Sequence, residues 1–388
     1  MLYAVIFCII MGCYFSSRNT PAAHNSTTLA WIMFALAMVV GMGDMLGGYD
    51  RYSYCQLFDW TADDVLAGKN PMSSDSGIME YSHEMAYVLL NVIIAHVTAN
   101  RYIFILLLTL FVYFMLYLSL KDYLDNYPLG LLMFTALYFF FTFTYLRQVC
   151  ATCFAWYAYR YAIRRKLLPF LVCCFVAYKF HNSAIIFLPM YFIPIKKYPK
   201  SLVIKVMLAL LIIGSTGLSA SLYSIFGDAS GADERAAQYE QTGHNFRLDY
   251  VIEVFVFLYI ILKNYDRIPN DVKHIVFLNA SLMFCAILLF FVTNSSAGRQ
   301  SWYYMIGIIY TLSYLVTTSN ETSKLPLCIY ILMTVLFLRI DILWGNLINP
   351  YKTFLTNGHR QNDHIYQLYE YDDNYDKNKL YRPLFYLK

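Results

Sequence analysis

Charged and titratable side chains inside apolar runs are where chemistry is expected, because burying a charge in hydrocarbon costs free energy that function must repay. Arg147 is the clearest case: it follows Phe139-Phe140-Phe141-Thr142-Phe143-Thr144-Tyr145-Leu146 and precedes Gln148. One reading is an arginine snorkelling at a helix end. The other is an anion clamp, since guanidinium is permanently charged and its fork of donors fits phosphate oxygens. His181 interrupts the long apolar stretch 167–195. A lone histidine there is either satisfied by a neighbour or, with an ordinary pKa near 6.5, suited to act as general base for a hydroxyl, with Ser183 placed to orient it.

Gly48-Tyr49-Asp50-Arg51-Tyr52 lies where the second apolar run ends. Asp50 and Arg51 suit either a local ion pair or a site in which Asp50 holds a sugar hydroxyl and Arg51 a phosphate. Tyr49, Tyr52 and Tyr54 suit sugar stacking, although tyrosine belts at a membrane interface need no ligand. His83-Glu84 opens the third run as a candidate acid/base pair. Arg299 and Gln300 open a late run that continues Trp302-Tyr303-Tyr304. Arg235, His244 and Arg247 lie in or beside the loop 219–249, and several arginines facing one outer cavity would suit a lipid diphosphate; ordinary loop solvation fits Arg235 best.

Other patterns carry less. Cys150 and Cys153 form a C-x-x-C inside an apolar helical run, and most of the nine cysteines read as reduced packing residues. His359, Asp363 and His364 in the tail close no ligand set of standard spacing, so no metal is expected. The absence of a phosphate-loop or dinucleotide glycine pattern argues against an ATP-driven protein, and no cofactor is expected. The net charge of +4 is small and spread out, which argues against a nucleic-acid partner.

The elements that must position these residues are membrane helices. Of 388 residues, 59% are hydrophobic and 14% charged, against roughly 25% charged in soluble domains. The apolar residues come in blocks without two-residue alternation, which excludes barrel strands and leaves helices. Candidate spans are 1–15, 28–46, 84–99, 101–120, 128–146, 149–163, 167–195, 201–218, 250–263, 272–293, 301–318 and 325–341, an all-α polytopic chain of about 12 transmembrane helices. The first is read as a retained span, because neither basic residues before it nor an A-x-A exit after it mark a cleaved leader. The stretch 167–195 is long for one crossing and reads as two short helices meeting at His181-Asn182-Ser183. Residues 1–341 form a single helical domain with outer loops 47–83 and 219–249, followed by a polar, tyrosine-rich tail, 342–388, which either docks on the outer loops through Tyr366, Tyr369, Tyr371 and Tyr375 or is flexible.

Clusters at Arg164–Lys166, Lys196–Lys205 and Lys263–Lys273 mark the cytoplasmic side. Two full crossings at 128–146 and 149–163 would put Arg164–Lys166 on the wrong side. A break is therefore expected near Arg147-Gln148, where irregular backbone would have to line a cavity or protein interior.

In this order the motifs resemble the EpsG-type members of the Wzy-like polysaccharide polymerases. Gly48-Tyr49-Asp50 with Tyr54 and Phe58, Leu146-Arg147-Gln148 with Ala151, Phe180-His181-Asn182-Ser183-Ala184 with Pro189, and Arg299 with Tyr303 and Tyr304 look like that family's successive motifs. The arginine that often precedes the glycine is missing from Gly43-Asp44-Met45-Leu46; Arg51 is the substitute at hand.

The resemblance implies a bacterial inner-membrane, multi-pass enzyme similar to the metal-independent GT-C-like glycosyltransferases. It would polymerise undecaprenyl-diphosphate-linked repeat units (O-antigen, capsule or exopolysaccharide) at the outer face. Its partners would be that lipid-linked glycan, membrane lipids and a chain-length regulator. Arg147, Arg299 and Arg51 would bind diphosphate, His181 would be the base with Asp50 as the second catalytic residue, and Gln148, Tyr54, Ser183, Glu84 and Arg247 would orient sugar. Breaking a glycosyl–diphosphate bond needs the leaving charge neutralised, which arginines can do without a metal. A transporter or flippase of lipid-linked oligosaccharides would use the same arginines, but the repeated halves common in transporters are absent. A membrane acyltransferase lacks an evident acidic partner for its histidine, and a purely structural protein would not need Arg147 or His181 at depth.

Overall fold

The computed structural model describes residues 1–45, 48–218, 246–294, 297–320 and 322–386, and these are all-helical. A helix lies under each of the twelve apolar runs. Three are long and apolar enough to cross a membrane: Arg101–Tyr123, Val272–Phe290 and Leu325–Leu343. Shorter apolar helices include Leu2–Ser17, Ser26–Gly41, Met85–Ala95, Tyr127–Leu137 and Leu167–Phe180. Many of their outward residues are large and apolar, such as Trp31, Phe114, Leu168, Phe175 and Phe255. In water such a surface would drive aggregation; in lipid it is the expected exterior. The chain is a membrane protein.

Two runs break where the sequence asked for breaks. After helix Tyr127–Leu137 the chain tightens into a 3-10 turn, Phe139–Phe143, and a new α-helix, Leu146–Ile163, starts one residue before Arg147. After helix Leu167–Phe180 the chain passes through His181 into a 3-10 stretch, Asn182–Tyr191, which contains Pro189. Such tightened segments leave carbonyls that side chains must satisfy.

The described chain divides into two compact units. The first comprises residues 1–157, 175–181 and 324–388; the second comprises 158–174 and 182–323. In the first, helix Leu2–Ser17 packs on Tyr127–Leu137 and helix Ser26–Gly41 packs along Arg101–Tyr123. Buried tyrosines tie the helices together by their hydroxyls: Tyr3 donates to the Ile348 carbonyl at 2.9 Å and Tyr123 to that of Trp156 at 2.8 Å. In the second unit, helix Val272–Phe290 is central, against Met305–Thr317, Lys200–Ser215 and Leu248–Lys263. Gly307 allows a close approach there, since a methyl group at its Cα would meet Ala280 and the backbone of Ser281 at 2.6 Å.

The C-terminal tail is docked and carries buried residues, among them Phe354, Ile365, Tyr375 and Lys379. A flexible tail is thereby excluded for its described part. It meets the helix Tyr49–Leu66 around Asp59, which accepts from Tyr371 and, at 3.3 Å, from Tyr375. Burial pushes the Asp59 carboxyl up from 3.8 to about 6, against the opposing pull of Arg101, Arg382 and the two tyrosines. Folded protein thus holds a proton on Asp59 between about pH 4 and 6 that the unfolded chain has released. The stabilisation is complete below about pH 4 and is lost as pH rises through about 6. Melting temperatures of detergent-purified protein at pH 4.5 and 7 should show this as a downward slope that Asp59→Asn reduces; an unchanged slope would refute it.

Candidate functional site

In the first unit, four of the expected site residues, Tyr54, Arg147, Glu84 and Asp50, come together around one buried hydroxyl. Tyr54, on the second turn of helix Tyr49–Leu66, is the hub. Arg147 lies with its guanidinium 5.4 Å from the Tyr54 ring centre, and its Nε reaches the Tyr54 hydroxyl oxygen at 3.5 Å. The Arg147 Nη1 donates to Glu84 Oε2 at 2.7 Å. Asp50 and Glu84 both act electrostatically on Tyr54. Gln148, buried, follows Arg147 in the chain. Burial is the main reason the Tyr54 hydroxyl is pushed up to about 12; the two carboxylates add to it and Arg147 opposes it. Tyr54 therefore stays protonated, accepting from Arg147 while keeping a proton to donate.

Local sequence explains the placement. Gly48, with φ of +86°, adopts a turn conformation that side-chain-bearing residues rarely take, and so starts helix Tyr49–Leu66. Asp50 then sits in the first turn, where a negative charge complements the helix dipole. Glu84 precedes the first residue of helix Met85–Ala95. Arg147 is presented by the first turn of the helix that follows the 3-10 break.

The structure gives Arg51 a different task from the expected phosphate contact. It is 1% exposed, and its guanidinium donates to the carbonyls of Val40 at 3.0 Å, Gly43 at 3.2 Å and Phe143 at 3.4 Å. It thereby ties the end of one helix to the 3-10 turn that precedes Arg147. Its two terminal nitrogens face three backbone carbonyl oxygens. The paired acid and base expected of His83-Glu84 is also not formed as such: His83 is exposed, whereas Glu84 is buried against Arg147.

His181 is half-buried at the end of its helix, its backbone N–H bonded to the Ala177 carbonyl at 2.9 Å, with the preceding Phe180 stacked on Phe154. In the second unit, Ser183 pairs with the Tyr303 hydroxyl at 2.7 Å. Tyr304 donates to the Ile186 carbonyl at 2.8 Å, satisfying one acceptor of the 3-10 stretch. Tyr303 and Tyr304 are fully buried anchors. Arg299 stands half-buried on the short helix Ala297–Gln300, next to these anchors in sequence. Arg247 is engaged bidentately by Asp249 at 2.9 and 2.8 Å and lies over the Tyr250 ring at 4.4 Å. Arg235 and His244 lie outside the described residues.

Two aromatic partners escaped the sequence reading. Tyr81 lies under Arg147, 5.8 Å from ring centre to guanidinium carbon, and Tyr87 meets Tyr54 edge to face at 5.7 Å. Tyr87 falls three residues after Glu84, one helical turn on, and that spacing was the available signal. Among the described residues no group of three metal-type side chains converges; His359 pairs with Asp376 at 3.1 Å and stacks on Tyr366.

No curated protein sequence and no solved structure matches this chain. The EpsG family model matches residues 28–353, most of the chain and all of the site residues named above, and the protein belongs to the EpsG family.

Proposed function

We propose that this protein polymerises lipid-diphosphate-linked oligosaccharide repeat units at the outer face of a bacterial inner membrane, as a multi-pass glycosyltransferase of about twelve crossings. Membership of the EpsG family supports polysaccharide polymerisation in general. The observation that carries the finer reading is the buried Arg147 guanidinium, held at depth by Glu84, Tyr54 and Tyr81. A permanent positive charge preset in a dry site is what a leaving diphosphate requires.

In this reading Arg147 takes the leaving diphosphate, and Glu84 fixes the guanidinium until phosphate oxygens compete for it. Asp50 and Tyr54, with Gln148, orient the sugar. The acceptor hydroxyl attacks the anomeric carbon, the bond from that carbon to the diphosphate oxygen breaks, and the undecaprenyl diphosphate leaves with the electron pair. His181 accepts the hydroxyl proton. Arg51 is omitted from the ligand set because backbone carbonyls hold it. No metal or other cofactor enters the scheme, and the transfer is from one lipid-linked chain to the next repeat unit.

The test is a ladder gel of surface polysaccharide from a deletion strain. Deletion should leave single repeat units on the acceptor, and wild type should restore the ladder. Loss of even the single unit on deletion would place the step upstream and favour the flippase alternative. His181→Ala should lower the polymerisation rate about 100-fold or more, the usual scale for a lost general base, and should remove the acid limb of the pH–rate profile. A variant with the wild-type profile would show that His181 is not the base.

A further inference from the structure

The helix that bears Asp50 and Tyr54 is held by the C-terminal segment at several points along its length. Before the helix, the tail pairs with residues 42–44 as an isolated antiparallel bridge. Asp44 donates its N–H to the Lys352 carbonyl at 2.6 Å, and Phe354 donates to that of Met42 at 3.2 Å. Lys379 reaches the Asp44 carboxylate at 3.2 Å. Leu347 lies against Gly48, close enough that any side chain there would crowd it at 3.2 Å.

In the second half of the helix the contact is ionic and deep. Arg101 is fully buried and grips Glu370 through both carboxylate oxygens, at 3.0 and 2.9 Å, with the Tyr375 ring 3.7 Å from its guanidinium carbon. Its other terminal nitrogen lies 3.9 Å from Asp59, which also accepts from Tyr371 and Tyr375. At the rim, Arg382 pairs with Asp63 at 2.9 Å and lies 3.8 Å from Asp59. Tyr52 and Tyr369 meet between these two groups of contacts.

We propose that segment 345–386 is a strap that fixes helix Tyr49–Leu66 from both ends, with the buried Arg101–Glu370–Asp59 cluster as its latch, and so sets the position of Asp50 and Tyr54. The functional half rests on the reading of those two residues as substrate-facing. Glu370, Arg101 and Asp59 are positioning residues: they act on the site through the helix. Partnered charges this deep do little for net stability compared with apolar packing, but removing one partner leaves the other stranded. The latch is therefore strongly sensitive to single changes, and its opening should be felt along the whole helix.

The experiment is hydrogen exchange on the full-length protein in detergent, with the polysaccharide ladder read in parallel at matched membrane levels. Glu370→Gln should speed exchange at least tenfold in both residues 350–380 and helix Tyr49–Leu66, while helix Val272–Phe290 is unchanged. Glu370→Asp should recover part of both the protection and the ladder. If Glu370→Gln fails to accumulate, the rim variant Arg382→Ala should give the same coupled pattern at several-fold amplitude. Faster exchange in the tail alone, with the helix at its wild-type rate, overturns the strap. Coupled exchange with a wild-type ladder overturns its role in the site. A strain whose ladder does not depend on this protein at all refutes the polymerase reading, and the exchange result then still decides whether the strap exists.

Discussion

Arg147→Ala is expected to abolish the polysaccharide ladder and to reduce the folded protein in the membrane, and adding Glu84→Gln is expected to restore the second without the first. The pair is close to fully buried, with Arg147 8% and Glu84 7% exposed, and the contact is 2.7 Å. Removing one partner of such a pair costs about 3–5 kcal/mol, because the other charge stays in a low-dielectric site without compensation. Arg147→Ala thus combines a stability defect with whatever catalytic defect it has. The neutral amide of Glu84→Gln removes the stranded charge, so the double variant should accumulate nearly as wild type does. It still lacks the guanidinium, and loss of a preset donor at the developing charge costs on the order of 100- to 1000-fold in rate. Glu84→Gln alone should tighten retention of lipid diphosphate by the purified protein, since the internal competitor for Arg147 is gone. Recovery of both abundance and ladder in the double variant would show that Arg147 is structural and would remove the central element of the proposed mechanism.

The sequence was most informative where one physical rule acts over a long stretch. Continuous apolar runs can be helices and little else in lipid, so helix order followed directly from them. The breaks at Phe139–Phe143 and beyond His181 were legible because helix length and the sidedness of Arg164–Lys166 could not otherwise be reconciled. What stayed hidden were pairings between residues far apart in the chain. Glu84 and Arg147 are separated by 63 positions, and Asp59 and Tyr375 by 316. Nothing local distinguishes a glutamate that caps a helix from one that holds an arginine.

The carbonyl partners of Arg51 stayed hidden for a related reason. Its neighbour Asp50 and the glycine before it suggested a ligand-binding turn, whereas its partners are carbonyls whose exposure depends on where two helices end. Docked and flexible readings of the tail both stayed open because it is polar and carries no long apolar run. Its anchors are single residues, Phe354, Ile365 and Tyr375, buried against elements that the tail's own sequence does not specify.

Arg51 leads to the second large effect, and one that separates architecture from chemistry. Arg51→Leu should lower the melting temperature by several degrees and leave little protein in the membrane. A leucine of similar bulk fills the space but leaves the Val40, Gly43 and Phe143 carbonyls short of a donor, and each buried acceptor left unmade costs about 1–3 kcal/mol. Arg51→Lys should fall between, because one ammonium on a flexible stem cannot reproduce a planar fork that meets three acceptors. Both changes should loosen the 3-10 turn that precedes Arg147, so activity lost at Arg51 should track stability lost, unlike the Arg147–Glu84 double variant, where the two separate. If Arg51→Lys instead keeps the wild-type melting temperature while losing retention of lipid diphosphate, Arg51 contacts the substrate. The ligand set would then include the turn before helix Tyr49–Leu66, as the family resemblance implies.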